Sequence, residues 1–578
     1  MPPHRLEASD AALSTALHRL LPPDHDLPLT STAQARRVEQ AARDTLPAFT
    51  LLPHAGLMVA RWIRALHPHA SRIWVICGPG HNGGDGLVAA SWLQRWGAQV
   101  EVSLLAAAEQ LPPEAGQALA VARQAGVQIH QDPTPRHRPM LTVDALLGLG
   151  QRRAPEGAMA CALRWAAKGR QHGVSVLAVD LPTGLHDETG QPTGGLPGGA
   201  DATLCLLTLK PGLFTGQGRD WAGALWWAPL LPPEHPAWQK AEGSLRLSGR
   251  TARQRALAPR QHHQHKGSFG DVWVLGGAPG MQGAAMLAAG AALHAGAGRV
   301  YWCPPGAGGL APAAPSPWPA LMTRPPGAWQ SSGVLEHGVT VCGCGAGTDL
   351  QTDLAEILLR AQRLVLDADA LNLIAAHPEL PGLTRSRAGR GQVTVATPHP
   401  LEAARLLQTS TALVAQNRVQ AARDLAQTLA CAVVLKGSGS VVATPSAAWD
   451  PSTAEQAAPP PPPTWINPTG HARLATAGSG DVLAGWLGGL WSSLPATTHP
   501  LADVTDSRLP SAAPLPRCEP AWEAALAACL LAVWWHGRAA EPRQDSPTQT
   551  AGHGARRVED FLPLPAQDLI SAMTRVSP

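Results

Sequence analysis

The sequence lacks paired cysteines and lacks an apolar run of membrane length. Nine cysteines are scattered along the chain, and none has the C-x-x-C spacing of a zinc ribbon. The longest apolar stretch, residues 524–535, is far shorter than the ~20 residues that a membrane span needs. The N-terminal residues MPPHRLEASD contain acids and no apolar core of a secretory leader. We therefore expect a cytoplasmic protein with reduced, buried thiols and no membrane partner.

A large excess of one charge is also absent. The 45 lysines and arginines nearly balance 42 aspartates and glutamates, which gives a formal net charge of +3. Such a chain has no strong positive field for a polyanion, so we do not expect a nucleic-acid partner.

The length of 578 residues exceeds that of one hydrophobic core and predicts two or three domains. Glycine (58) and proline (56) are both abundant, which indicates many turns. Two segments, 446–464 and 492–520, are rich in proline and polar residues, and the first contains a proline run at 459–463. We predict that both are surface insertions, because they offer few core-forming side chains.

Short apolar runs alternate with amphipathic segments in two series. The first series gives candidate strands at residues 73–77, 100–105, 141–143, 174–179 and 202–209. The second gives candidate strands at residues 272–275, 300–303, 339–342, 364–366, 393–396 and 432–435. Strand–helix alternation predicts two α/β domains, each with a mainly parallel sheet between layers of helices. Ligands of such sheets bind at the carboxyl ends of the strands.

A glycine-rich segment follows the first candidate strand, where residues 78–86 read G-P-G-H-N-G-G-D-G. Glycines let the backbone approach a ligand closely, and the helix that follows offers free N–H groups to a phosphate. Turns of this type are also common as purely structural connections. This segment alone leaves both interpretations open.

Acidic side chains follow further strands of the same series. The segments read D-A-L-L-G (144–148), V-D-L-P-T-G (179–184) and L-K-P-G (209–212). Because the carboxyl ends of parallel strands meet at one edge, their oxygens should converge on a cation and a polar ligand. A helix N-cap explains one such aspartate, but not several with matching glycines. Lys210 supplies either a balancing charge or an ordinary salt bridge.

Together these motifs resemble the NAD(P)H-hydrate epimerase (YjeF N-terminal) family over residues 30–230, with His81 replacing the asparagine that usually opens N-N-G-G-D-G. The resemblance implies a Rossmann-like three-layer αβα domain at 31–232, preceded by an N-terminal extension at 1–30. It implies that Asp180 transfers the proton that opens and recloses the substrate at C6. The potassium ligands that it implies are Asn82, Asp144 and Thr183. The residues implied to contact hydrated NADH (NADHX) or NADPH (NADPHX) are His81, Asn82, Gly83, Gly84, Asp85, Gly148, Leu149, Gly150, Gln151, Arg152, Arg153, Ala154 and Asp180.

The second series carries different motifs. They read G-G-A-P-G-M-Q-G-A-A (276–285), G-C-G-A-G (343–347), D-A-D-A-L-N (367–372), T-P-H-P (397–400), L-K-G-S-G-S (435–440) and T-A-G-S-G-D-V-L-A-G (476–485). The last predicts a turn that opens a helix, with the N–H groups of 478–480 and the Asp481 carboxylate facing one point. This suits phosphoryl transfer, because the N–H groups stabilise negative charge and the carboxylate accepts a hydroxyl proton. K-G-S-G-S alone is more typical of a hairpin turn, and Asp481 downstream favours a site.

In this order the motifs resemble the ribokinase-like ADP/ATP-dependent NAD(P)H-hydrate dehydratase family over residues 250–575. The chain departs from the usual pattern of that family at three places. It has G-S-G-D instead of G-T-G-D at 478–481, and G-C-G-A-G instead of G-P-G-L-G at 343–347. It also has Leu401 where the family usually has glycine. The resemblance implies a ribokinase-like three-layer αβα domain at 250–578 after a linker at 233–249. It implies Mg²⁺ and ADP or ATP, with Asp481 helping to move a phosphoryl group. The implied nucleotide contacts are Lys436, Gly437, Ser438, Gly439, Ser440 and Gly480, and the implied hydrate contacts are Ala284, Gly347, His399 and Asp481.

Two other interpretations remain open. A ribokinase-like kinase of a vitamin alcohol, with the first domain as an accessory binding domain, would share the G-x-G-D turn; K-G-S-G-S and T-P-H-P favour the dehydratase. A non-catalytic scaffold, as in RNA-processing relatives of the first fold, is disfavoured by Asn82, Asp85, Asp144 and Asp180. The expected partners are therefore NADHX, NADPHX and ADP or ATP, in a homo-oligomer.

Overall fold

The computed structural model describes residues 13–20, 22–241, 243–250, 257, 259–306, 316–330, 333–449, 461–494, 510, 517–542 and 562–576. Its strands form two sheets, and every strand predicted from the sequence is present in one of them. The additional strands lie mostly toward the sheet edges, where short pairings carry little periodic signal.

The first region begins with short strands and two helices and then alternates strand and helix. Its strands, with two that join the other sheet, are β1 (His18–Arg19), β2 (Leu27–Pro28), β3 (Arg72–Cys77), β4 (Gln99–Leu104), β5 (Gln128–His130), β6 (Leu141–Ala145), β7 (Ser175–Val179), β8 (Ala202–Leu206), β9 (Ala224–Ala228) and β10 (Leu245–Leu247). Its helices are α1 (Thr32–Thr45), α2 (Leu51–Leu66), α3 (His81–Arg95), α4 (Pro113–Gln124), α5 (Gly157–Gln171) and α6 (Gly218–Ala222).

The first sheet has eight strands in the order β1-β9-β8-β7-β6-β3-β4-β5. Its neighbours are parallel except for β1, which is antiparallel to β9. Every residue of β6, β7 and β8 is buried. Since successive side chains point to opposite faces, both faces of the sheet are covered, as in a three-layer α/β domain.

The second region repeats this alternation with different connections. Its strands are β11 (Asp271–Leu275), β12 (Arg299–Cys303), β13 (Met322–Thr323), β14 (Val339–Cys342), β15 (Arg363–Leu366), β16 (Val393–Ala396), β17 (Ala432–Leu435), β18 (Val441–Ala443) and β19 (Thr464–Ile466). Its helices are α7 (Gln282–His294), α8 (Val334–His337), α9 (Gln351–Arg360), α10 (Asp369–Ala376), α11 (Leu380–Gly389), α12 (Pro400–Leu406), α13 (Thr411–Gln416), α14 (Arg418–Leu429), α15 (Ser479–Ser493), α16 (Pro520–Ala540) and α17 (Ala566–Met573).

The second sheet has eleven strands in the order β13-β12-β11-β14-β15-β16-β17-β18-β19-β10-β2. It is parallel from β13 to β17 and then turns antiparallel at β18 and β19. Strands β10 and β2 complete its edge, although the sequence placed them in the linker 233–249 and the extension 1–30. These short segments pair with the edge of the second sheet and so satisfy its hydrogen-bonding groups.

The predicted insertions 446–464 and 492–520 lie largely outside the described residues. Their described ends belong to regular elements: residues 446–448 form a 3₁₀ turn, residue 464 begins β19, residues 492 and 493 end α15, and residue 520 begins α16.

The apolar stretch 524–535 lies inside α16 and packs in the second core, as the sequence predicts for a buried helix. Among the residues that the structure describes, no helix is both long enough and apolar enough to cross a membrane. All nine cysteines are free, and seven of them are buried.

Candidate active sites

A cavity of about 780 Å³ opens at the carboxyl ends of strands in the first sheet. Most of the predicted hydrate contacts line it, namely His81, Asn82, Asp85, Gly148, Leu149, Gly150, Gln151, Arg152, Arg153, Ala154 and Asp180. Gly83 and Gly84 are not among its lining residues. A Cβ on Gly83 would lie 2.1 Å from the Gly78 carbonyl oxygen, so this glycine permits close packing of the turn instead.

Asp180, the predicted proton-transfer residue, stands at the floor of this cavity directly after β7. Its backbone has φ +66°, a region that non-glycine residues rarely occupy outside functional sites. Its carboxylate forms an ion pair with Lys210, whose Nζ also donates to the Leu206 carbonyl at 2.8 Å. The Leu206 N–H donates to Asp180 Oδ1 at 3.1 Å. Lys210 and the Leu206 N–H therefore both hold Oδ1 and fix the orientation of the carboxylate.

Asp85 presents a second carboxyl group to the same cavity. Burial and the neighbouring charge of Asp180 raise the pKa of Asp85 well above its usual range. A raised pKa favours the protonated form of a carboxyl group, which can donate a hydrogen bond. The cavity therefore holds a lysine-paired carboxylate and a second carboxyl group whose pKa is raised.

Asp144 and Thr183, two of the three predicted potassium ligands, are bonded to each other behind the cavity wall. The Asp144 carboxylate accepts from Thr183 N at 2.8 Å and from Thr183 Oγ1 at 2.7 Å. Burial raises the pKa of Asp144, and these hydrogen bonds oppose the shift.

Asn82, the third predicted potassium ligand, is buried, and neither polar atom of its amide has a hydrogen-bond partner within the described residues. A buried amide without a partner is costly unless a ligand or ion satisfies it. It stands after β3, which is the neighbour of the strand that carries Asp144. The oxygen-rich donor set and the unpartnered amide fit a cation such as potassium.

The segment 148–154 is held in place by Asp187, which the motifs did not identify. Asp187 is fully buried and accepts from Thr32 Oγ1 at 2.7 Å, Gly150 N at 2.9 Å and Arg152 Nη1 at 2.5 Å. Burial alone would raise its pKa, but the hydrogen bonds from Thr32 and Arg152 outweigh burial and lower the pKa of Asp187. Its charge thus anchors the predicted substrate loop.

Helix α1 adds a charged rim that the motifs also missed. Arg36, Glu39 and Arg43 line the cavity. Arg43 donates to Glu39 at 2.9 Å and to Glu114 at 2.5 Å, and His81 Nε2 lies 3.9 Å from Glu114. The rim therefore carries arginines that can face an anionic group of a ligand.

The second site is centred on Asp481, in the first turn of α15. Gly478 precedes this helix with φ +84°, a conformation that favours glycine, so the turn opens the helix as the sequence predicted. Asp481 is partly exposed, and its carboxylate is close to the acid Asp367. Burial and the charge of Asp367 raise the pKa of Asp481 to about 6.

Lys436 and Asp367 form the main ion pair of this site. Lys436 Nζ lies 2.6 Å from Asp367 Oδ1 and 3.9 Å from Glu402 Oε2, and Thr397 Oγ1 donates to the same Asp367 oxygen at 2.9 Å. Burial disfavours the ammonium group, but Asp367 and Glu402 outweigh it and raise the pKa of Lys436. A Cβ on Gly480 would lie 3.2 Å from Nζ, so the lysine reaches the start of α15.

The predicted nucleotide loop 436–440 connects the antiparallel strands β17 and β18, so it is a hairpin turn as well as a part of the site. Arg418 donates to the carbonyls of Leu435 and Lys436 at 3.2 and 3.1 Å. Gly437 and Ser438 are exposed, whereas Gly439 is buried. A Cβ on Gly439 would lie 1.9 Å from the carbonyl oxygen of Phe214 in the first region.

The predicted hydrate contacts lie on two sides of this site. Ala284 lies against the 343–347 turn, and the Gly347 N–H donates to Asp369 at 2.8 Å. His399 caps α12 by accepting from the backbone of Leu401 and Glu402, and its Nε2 lies 3.1 Å from Glu402 Oε1. Its ring is therefore oriented by the helix that also carries Glu402.

The motifs did not predict His536, which comes from α16. Its Nε2 pairs with the Ser479 carbonyl at 2.9 Å, and burial lowers the pKa of His536 to about 4. The ring is thus neutral and donates to the backbone at the start of α15. Its position directly after the apolar stretch 524–535 gave no signal of a role at the site.

Both regions match known families. Residues 48–212 match the model described as YjeF-related protein N-terminus, and residues 272–562 match that of NAD(P)H-hydrate dehydratase. A bifunctional NAD(P)H-hydrate repair enzyme of Escherichia coli is 35% identical over 467 residues, which cover 79% of this chain and 83% of the relative. The corresponding enzyme of Moorella thermoacetica is 33% identical, covering 80% and 87%. An ADP/ATP-dependent NAD(P)H-hydrate dehydratase structure from Bacillus subtilis is 23% identical, covers 56% of this chain and 94% of its own, and has a TM-score of 0.38.

Carboxyl groups at the strand ends of two α/β regions, each paired with a lysine, define a two-domain α/β enzyme. The two family models cover one region each, and the relatives span most of both. The chain belongs to the family of bifunctional NAD(P)H-hydrate repair enzymes.

Proposed function

We propose that the first region interconverts the R and S forms of NADHX and NADPHX at C6, and that the second dehydrates the S form with ADP or ATP. The observation that carries the proposal is the presence of both sites in one chain. A lysine-paired carboxylate stands in the first cavity, and Asp481 stands beside a lysine at a helix N-terminus in the second.

In the first site, Asp180 is the proton-transfer residue. Its oxygen bonded to Lys210 fixes the side chain, and the other oxygen faces Gly148 at the cavity wall. A carboxylate held beside the substrate accepts a proton as the hydrated ring opens and returns it as the ring recloses at C6 from the other side. Asp85, whose raised pKa favours its protonated form, can donate to the same substrate. Arg36 and Arg43 face the phosphates of the substrate.

A potassium ion in this site would be held by Asn82, Asp144 and Thr183. When bound, it supplies a fixed positive charge for the ligand's phosphates. The unpartnered amide of Asn82 supports this assignment.

In the second site, the oxygen of the C6 hydroxyl takes the terminal phosphoryl group of the nucleotide. Asp481 accepts the proton that this hydroxyl loses. The backbone N–H groups that open α15 and the ammonium of Lys436 stabilise the negative charge that develops. Loss of inorganic phosphate from C6 then restores the dihydropyridine, because phosphate leaves far more readily than hydroxide. With ADP, the other product is AMP. Mg²⁺ bound with the nucleotide would neutralise part of the negative charge on its phosphates.

The test mixes the purified chain with NADHX, ADP, Mg²⁺ and K⁺ and follows the recovery of NADH absorbance. We expect full recovery from an epimer mixture, and none without nucleotide. Recovery limited to the S fraction would contradict the epimerase assignment, and a stable phosphorylated product would favour the kinase of a vitamin alcohol. Running ADP and ATP in parallel identifies the preferred nucleotide.

A further inference from the structure

Cys344 lies at the bottom of the second site, in the turn that follows β14. The residue is fully buried. Its Sγ and one carboxylate oxygen each from Asp367 and Asp481 all lie within 4.8 Å of one another. A buried thiol therefore lies beside the two acids around which the proposed phosphoryl transfer is arranged.

The groups around Asp481 divide into acids and donors. Asp367 and Asp369 are acids, and Lys436 is the cation, but its Nζ is held 2.6 Å from Asp367 and near Glu402. His536, from α16, is neutral and bonded to the Ser479 carbonyl. The thiol of Cys344 is a further side-chain donor near Asp481, since its Sγ lies within 4.8 Å of an Asp481 carboxylate oxygen.

The state of the thiol decides which of the two groups can donate to the other. Burial and the surrounding acids raise the pKa of Cys344 well above its usual range, so the sulfur keeps its proton. A protonated thiol is a donor and an ionised carboxylate is an acceptor. The S–H group can therefore donate to the Asp481 carboxylate.

We propose that Cys344 is a positioning residue of the dehydratase site, which holds the Asp481 carboxylate ionised and oriented toward the substrate hydroxyl by donating its S–H to it. The inference rests on the function proposed for the second region. It assigns a role to the thiol of Cys344, for which the motifs implied none.

The first test compares the pH profiles of three proteins. Removing a donor from a carboxylate disfavours its charged form, so Cys344→Ala should move the acid limb of dehydratase kcat/KM upward by roughly 0.5–1 pH unit. Cys344→Ser keeps a donor of similar size and should restore the wild-type limb. Identical limbs for wild type and the alanine variant, or an alanine-like limb for the serine variant, would overturn the proposal.

Matched controls separate this effect from damage to the fold. Cys342→Ala removes another buried thiol two positions away, near Asp353 rather than Asp481, and should leave the acid limb in place. The epimerase activity of each variant, measured in the same sample, reports on the rest of the chain. A shift of the limb in Cys342→Ala as well would contradict a specific contact.

A second measurement needs no activity and so remains valid if the proposed function fails. The measurement is a double-mutant cycle of Cys344→Ala with Asp481→Asn, read as loss of thermal stability. The two losses should be non-additive above pH 7, where Asp481 is ionised. They should be additive below pH 5, where Asp481 is protonated with or without the thiol. Additive losses at both pH values would overturn the contact. An inactive wild-type chain with non-additive losses would overturn the function and leave the contact standing.

Discussion

The two sites use the same pair of residue types in opposite ways. In the first region the buried lysine binds the proposed proton-transfer carboxylate itself, through the ion pair of Lys210 and Asp180. In the second region the lysine binds a neighbouring acid, through the pair of Lys436 and Asp367, and Asp481 lies outside this pair. Because Lys436 pairs with Asp367, Asp481 lies next to a like charge that raises its pKa. The choice of partner by the lysine therefore decides which carboxyl group acts as a base near neutral pH.

The surroundings of the two proposed catalytic carboxylates also differ. Asp180 stands in a cavity of about 780 Å³ that also holds Asp85, an acid of raised pKa, and an arginine rim. Asp481 stands in the first turn of a helix whose N–H groups, in the proposed function, face the phosphate of the nucleotide. The first arrangement suits a proton-transfer reaction on one bound molecule, and the second suits transfer between two.

The sharpest test of this comparison is Asp481→Asn, because it removes the base and leaves the lysine pair intact. We expect nucleotide-dependent dehydration to fall by about 10³–10⁴-fold, since an amide cannot accept the hydroxyl proton. Epimerisation should be unchanged. Recovery of NADH from pure S hydrate measures the first activity, and interconversion of the epimers measures the second; a fully active variant would refute the role of Asp481.

The reciprocal change is Asp180→Asn, which should lower epimerisation by about 10²–10³-fold through loss of the base. Dehydration of the S form should be retained. The measurement is the rate at which pure R hydrate becomes available to the dehydratase. Unchanged epimerisation would mean that Asp180 serves the fold through Lys210 and not the reaction.

A smaller effect is expected from pH. The pKa of Asp481 is about 6, raised from its usual value, so its base form is present above pH 6 and is lost as the pH falls through 6. Dehydratase kcat/KM should therefore decrease by about tenfold per pH unit below 6. A profile that stays flat down to pH 5 would contradict this assignment.

The smallest effect tests the contact between the regions. Gly439→Ala would place a Cβ 1.9 Å from the Phe214 carbonyl oxygen, at a residue with φ +61°. Because the nucleotide loop must shift to relieve this overlap, we expect KM for the nucleotide to rise by about 3–10-fold. Gly382→Ala is the matched control, since its Cβ meets open space on α11. Equal KM values for the two variants would show that the contact does not support the loop.

Much of each site could be predicted from short stretches of sequence. Asp180 follows β7 and Asp481 begins α15 where the motifs placed them, because strand periodicity and turn residues act over a few positions. The anchor Asp187 was missed, since it bonds to Thr32 from 155 residues away and follows no recognisable motif. The strands β2 and β10 were missed because their pairing partners lie in the distant second sheet.

The sequence by itself determined two α/β series, the strand ends that carry the acids, and the glycine turns beside them, because each depends on neighbouring residues. Only the tertiary structure decided which acid each lysine binds: Lys210 takes Asp180 and Lys436 takes Asp367. It also decided that Gly439 of one region rests on Phe214 of the other. These outcomes depend on distance and burial in three dimensions, which set the electrostatic energy of a charge and are not written in any short segment.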